Sequence, residues 1–227
     1  MIDPAEALQP TRFVDSDHEA VRDFASDTTS GCSDVREKAV RLYYAVRDGI
    51  RYDCYRVDME PESYTASDTL SRGYGFCIPK AALLAAACRA QGIPATLGYA
   101  DVRNHLATPR LLEMMGSDIF HYHGYTAIHL DGKWVKSTPA FNRELCELMN
   151  VAPLEFDGET DSIFHASEAD GRRHMEYLQY HGEFADVPFD AITRSLRENY
   201  PNLMKLAGYS WDDDVESLQR SGAPANS

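Results

Sequence analysis

The run Gly75-Phe76-Cys77-Ile78-Pro79-Lys80-Ala81-Ala82-Leu83-Leu84-Ala85-Ala86-Ala87-Cys88-Arg89-Ala90-Gln91-Gly92-Ile93-Pro94 decides how this chain is read. It predicts a helix that opens at Cys77. Pro79 fits the first turn, where a missing N–H breaks no intrahelical bond. Ala81, Leu84, Ala85 and Cys88 form an i, i+3, i+4, i+7 apolar stripe. Gly92 stands where a left-handed cap ends a helix, and Pro94 blocks continuation. A cysteine at such a start is placed for chemistry. An ordinary thiol is only about 3% thiolate at pH 7. The partial positive charge of a helix N-terminus favours the anion, and a neighbouring imidazolium favours it further. The Cys77 N–H has no intrahelical acceptor and is free to donate to a developing oxyanion. Cys88, inside the stripe, reads as inert core, and Cys54 and Cys146 have no comparable setting.

A thiol nucleophile needs a group that moves its proton near neutral pH, and histidine is the usual choice. The chain has eight. His123 opens an alternating run to Leu130, Asp131-Gly132 is a two-residue turn of the primed type, and Lys133 to Thr138 returns. In that hairpin residue 130 faces 133 and residue 125 faces 138. The period of two puts His123, Tyr125 and Thr138 on one face, with Thr138 a diagonal neighbour of His123. His121 has the same parity. His105, His165, His174 and His181 read as exposed or structural. Alternating His121, His123 and His129, with Cys77 as a fourth ligand, make a zinc site an alternative, although the spacing matches no common zinc arrangement.

Outward from these segments the pattern is mixed. Residues 1–30 are polar and irregular and read as an arm. Val35, Ala39, Leu42, Tyr43 and Val46 predict a helix, capped by Ser33 or Asp34 and ended by Gly49. Residues 53–75 read as loop, Ala95 to Val102 as a strand, and residues 103–119 as loop with a short helix. Beyond Pro139, loops and helices are expected, with helices over Asp170 to Tyr180 and Asp190 to Leu206. Residues 221–227 read as a disordered tail. The expected organisation is therefore an arm to residue 30, a core over 31–142, an extension over 143–220 and a tail.

Net charge is −14 and the sequence pI is about 4.9, which argues against nucleic acid and anionic membranes as partners. Hydrophobic residues make up 44% of the chain, enough for a core. No apolar run approaches the roughly 20 residues that span a bilayer. The start Met1-Ile2-Asp3-Pro4 shows no basic region followed by an apolar stretch, so a cytoplasmic protein is expected. Five cysteines at irregular spacing, without a C-x-x-C pair, point to free thiols rather than a disulfide framework.

These residues resemble the transglutaminase-like superfamily from about Val35 to Pro139. The resemblance rests on Ala66-Ser67-Asp68-Thr69-Leu70, on Gly75-Phe76-Cys77, and on the helix end Cys88-Arg89-Ala90-Gln91-Gly92-Ile93-Pro94-Ala95. It continues in His123-Gly124-Tyr125 and Leu130-Asp131-Gly132-Lys133-Trp134. It implies a papain-like α+β fold, with a nucleophile-bearing helix on an antiparallel sheet and extra C-terminal helices. It also implies a Cys-His-Asp triad, and here the sequence departs: the position expected to be aspartate is Thr138. Asn142 is an alternative third member, as in a Cys-His-Asn enzyme, and Asp157 or Asp161 are others. The implied function is cysteine-dependent acyl transfer on a peptide, protein or small amide, without a cofactor. A scaffold retaining the fold without turnover, and a zinc hydrolase, are the alternatives.

Overall fold

The computed structural model describes residues 2–105, 109–149, 151–163, 175–200 and 202. Helix α1 (Glu19–Thr28) starts at His18, whose Nδ1 accepts from the Ala20 N–H, and it buries Val21 and Ala25. Helix α2 (Val35–Gly49) is capped by Asp34, which accepts from the Glu37 N–H at 2.9 Å. Strand β1 (Arg51–Tyr52) leads to a 3₁₀ turn, Pro61–Tyr64, and then to α3 (Ala66–Arg72). Strand β2 (Tyr74–Gly75) pairs in parallel with β1 and delivers the chain to α4 (Cys77–Ala90).

Helix α4 buries every residue from Cys77 to Arg89. The apolar stripe predicted from the sequence is therefore one part of a helix covered all round. Its alanines leave room for neighbours on each side, which is what a helix in the middle of a fold requires. It lies between helices α1, α2 and α3 and the sheet. Buried Lys80 donates to the carbonyls of Arg47 and Ile50, tying α4 to the end of α2. Gly92 has φ +73, and the Ile93 N–H donates to the Cys88 carbonyl at 2.9 Å. That is the left-handed cap the sequence predicted.

The remaining elements are β3 (Ala95–Asn104), α5 (Pro109–Met115), β4 (Ile119–Leu130), β5 (Lys133–Ser137), α6 (Arg143–Leu148), β6 (Met175–Phe184) and α7 (Phe189–Asn199). Strands β5-β4-β3-β6 form one antiparallel sheet. The hairpin register pairs Leu130 with Lys133 and Thr126 with Ser137. Asp131 and Gly132 both have positive φ, as a primed turn requires. Thr126 donates its hydroxyl to the Ala81 carbonyl at 2.9 Å, fixing β4 against α4. The architecture is the α+β arrangement expected, a buried helix laid on an antiparallel sheet.

Three readings are corrected. Residues 1–30 are not an irregular arm: they carry α1, and Phe13, Val14, Val21 and Ala25 are in the core. Residues 53–75 are not all loop, because Thr65 caps α3 and Gly73, at φ +71, ends it. The helix read over residues 170–180 is replaced, where it is described, by β6, which pairs along the edge of β3. The spacing of Met175 and Leu178 mimics a helical step, but the open edge of β3 offers a ladder of hydrogen bonds, and that long-range pairing prevails. The final helix is found as α7, but it ends at Asn199, with Tyr200 already out of helical geometry, short of the expected Leu206; residues beyond 202 lie outside the described residues, as do His165, His174 and the tail. Among the described residues, no helix is long and apolar enough to cross a membrane.

Candidate active site

Cys77 is the first residue of α4 and His123 lies on β4, directly across from Ala100 of β3. Both line one cleft of about 470 Å³. Its other walls are largely apolar: Tyr52, Val57, Phe76, Ile78, Met115, Phe120 and Leu196. His121, Cys54 and Tyr200 complete it. Tyr200, just past α7, accepts from the His121 N–H at 2.7 Å and donates to the Ile119 carbonyl at 2.6 Å. The C-terminal segment thus clamps the start of β4 and closes one side of the cleft.

Gly124 explains how closely the strand approaches the helix. A Cβ there would lie 3.3 Å from the Cys77 carbonyl oxygen and 3.3 Å from the Ile78 Cα. Glycine lets the backbone come near enough for the Gly124 N–H to reach the sulfur. The electrostatics differ from the expectation of a thiolate held by the helix end alone. Burial pushes the Cys77 thiol up to about 11, against the pull of N–H groups from Gly124, Ile78 and Cys77 itself. Burial also pushes the His123 imidazole down to about 4. Burial therefore favours a neutral thiol and a neutral imidazole in the cleft that the two residues share.

That shift has a consequence for stability. Folded His123 takes up a proton only near pH 4, whereas the free imidazole does so near 6.5. Between those values the unfolded chain holds more protons, so stability falls as pH drops through the window. The expected contribution is on the order of 3 kcal/mol. Urea unfolding from pH 7 to pH 4 should show a shallower loss for His123→Gln than for the native chain.

The third-member candidates fall in different places. Thr138 is buried: its N–H donates to the Ser162 carbonyl at 2.9 Å, its carbonyl accepts from the Tyr43 hydroxyl at 3.3 Å, and its own hydroxyl oxygen has no partner among the described residues. His123 Nε2 is likewise buried and unpartnered. Asn142 accepts from the Tyr52 N–H at 3.2 Å, a link between chain segments. Asp157 accepts from the Glu159 and Thr160 N–H groups in an exposed turn, and Asp161 accepts from the Lys136 N–H. None of these four lines the cleft. His129 packs on Trp134, with ring centroids 5.1 Å apart, and does not join Cys77 and His123 at the cleft. Among the described residues, no group of three or more His, Cys, Asp or Glu is placed to hold a metal.

The model of the transglutaminase-like superfamily matches residues 22–139, just over half of the chain. This chain belongs to the transglutaminase-like superfamily. A solved structure from Cytophaga hutchinsonii, provisionally assigned as a cysteine protease, matches with a TM-score of 0.51 at 19% identity, over 84% of this chain and 50% of its own. The superfamily member described here thus spans about half the length of that protein. A second solved structure, from Parabacteroides distasonis and provisionally assigned as a protease, matches with a TM-score of 0.39 at 17% identity, over 59% of this chain and 26% of its own. No curated protein gives a significant match.

Sequence reasoning did not single out Asp101, and it read His181 as exposed or structural. Asp101 of β3 and His181 of β6 meet His121 in a compact cluster. An aspartate inside the apolar run Tyr99-Ala100-Asp101-Val102 was the available signal.

Proposed function

We propose that this chain catalyses cysteine-dependent acyl transfer on an amide through a thioester at Cys77. The observation that carries this reading is the cleft shared by a helix-start cysteine and a strand histidine. His123 takes the thiol proton as the sulfur attacks the carbonyl carbon, and returns it to the leaving amine. Because both groups rest neutral, the ion pair forms during attack rather than before it. The Cys77 N–H, at the helix start, is a donor for the oxyanion. The apolar walls suit a substrate with a hydrophobic group next to the reacting carbonyl, a peptide or small amide. Peptide anilides bearing Phe, Leu or Lys next to the scissile bond test this reading. Release of the aniline is expected for Phe and Leu well above Lys, and added methylamine diverts product from acid to amide if the acceptor is an amine.

A scaffold without turnover has one observation in its favour, since no carboxylate contacts His123 among the described residues. A chain of that kind releases no aniline from any of the three and takes up no acyl group on Cys77.

A further inference from the structure

Asp101 sits where the pairing of β3 is interrupted on both sides. The register with β4 shifts between Ala100 and Val102, and the register with β6 shifts between Asp101 and Val102. Bulges of this kind re-aim a side chain. On β4, Tyr122 adopts φ +56, a left-handed conformation that costs a bulky residue on the order of 1 kcal/mol or more. These distortions bring three donors to one carboxylate. His121 Nδ1 lies 2.9 Å from Oδ2, His181 Nε2 lies 2.6 Å from Oδ1, and the Tyr122 N–H donates to Oδ1 at 3.0 Å. The Tyr122 and His181 rings stack with centroids 4.0 Å apart, bracing the cluster. Burial opposes ionisation of Asp101, but hydrogen bonds from His181, Tyr122 and His121 hold its carboxyl below the ordinary value.

An ionised carboxylate only accepts, so His121 presents Nδ1–H to it and carries its lone pair on Nε2. His121 also lines the cleft with Cys77 and His123. We infer that His121, oriented by Asp101, is the general base that activates the acyl acceptor, so that Cys77 and His123 form the acyl-enzyme and His121 resolves it. This inference rests on the thioester reading above. In the step, the acceptor oxygen of water bonds to the thioester carbonyl carbon while its proton passes to His121 Nε2. The tetrahedral intermediate then collapses: the C–S bond breaks, sulfur leaves with the electron pair, and the proton returns to it. Carboxylic acid and free thiol result. An amine acceptor loses its proton by the same route and yields an amide. Asp101 is the positioning residue, supplying beside the acceptor the negative charge that position 138 lacks.

Stopped-flow kinetics with p-nitrophenyl acetate separate the two half-reactions. Native protein is expected to give a nitrophenolate burst, then steady turnover. His121→Gln should keep the burst, while turnover falls by about 10²- to 10⁴-fold, the usual span of general base catalysis. Hydroxylamine, which attacks without a base, should restore turnover in that variant. Asp101→Asn should slow turnover while keeping the burst, because His121 loses the carboxylate that orients it. The groups facing His121 are Asp101 on β3, His181 on β6, Tyr200 after α7, and His123 and Cys77 around the cleft. A merely structural role would lower burst and turnover together, with no rescue by hydroxylamine. That result, or unchanged turnover in His121→Gln, overturns the assignment while leaving Cys77 as nucleophile. No acylation of Cys77 in the native protein overturns both.

Discussion

Cys77→Ala is expected to reduce acyl transfer to the uncatalysed background, a loss on the order of 10⁴-fold or more, as removal of a covalent nucleophile does elsewhere. The reason is specific to this cleft. Cys77 is the residue that combines the helix-start N–H with a sulfur reached by the Gly124 N–H. Alanine keeps the apolar volume of the first turn, so folding should survive and the loss should fall on the rate. Cys77→Ser is expected to fare little better, since a hydroxyl is a far weaker nucleophile without a strong base. Cys32→Ala, outside the cleft and partly exposed, should keep the native rate within about threefold. Progress curves on the anilide that the native chain hydrolyses fastest, with matched unfolding temperatures, check the comparison.

The second large effect is on stability. Arg89, 4% exposed, ends α4 and makes four hydrogen bonds to three carbonyls. Nε and Nη2 reach Ala95 at 3.0 and 2.8 Å, Nη1 reaches Gln9 at 2.7 Å, and Nη2 reaches Ala185 at 2.6 Å. One planar guanidinium thus joins the central helix to β3, to the N-terminal segment and to the segment after β6. Burial pulls its pKa down to about 10, so it stays charged at neutral pH. Arg89→Ala removes every one of those donors and is expected to cost about 3–5 kcal/mol. For a chain of this size that is roughly a 10 °C fall in unfolding temperature. Arg89→Lys should recover little, because one ammonium does not serve three carbonyls with a planar fork's geometry. Thermal unfolding followed by circular dichroism decides the size of the effect.

What the sequence made legible was local. The start and stop of α4 are written in Cys77, Pro79 and Gly92, all within one element. The β4–β5 hairpin is written in Asp131-Gly132, whose two positive φ values only a few residue types tolerate. The elements misread depend on distant partners. Residues 19–28 bury only two side chains fully, and α1 is held by packing on α4. Strand β6 exists because β3 has an open edge, which no window around Tyr177 reveals. The candidate site divides in the same way. Cys77 and His123 stand in recognisable patterns, whereas Asp101 joins His121 and His181 only through bulges on two sides of one strand. The sequence also implied a sulfur kept anionic by the helix end. Burial decides otherwise, and burial is a property of the whole fold.

The nucleophile itself is tested most directly by the mass of the intact chain after brief incubation with p-nitrophenyl acetate and acid quench. A single acetyl group is expected, mapped by peptide analysis to Cys77 and removed by hydroxylamine. An unmodified chain, or an acetyl group carried on any other residue while Cys77 stays free, contradicts the account.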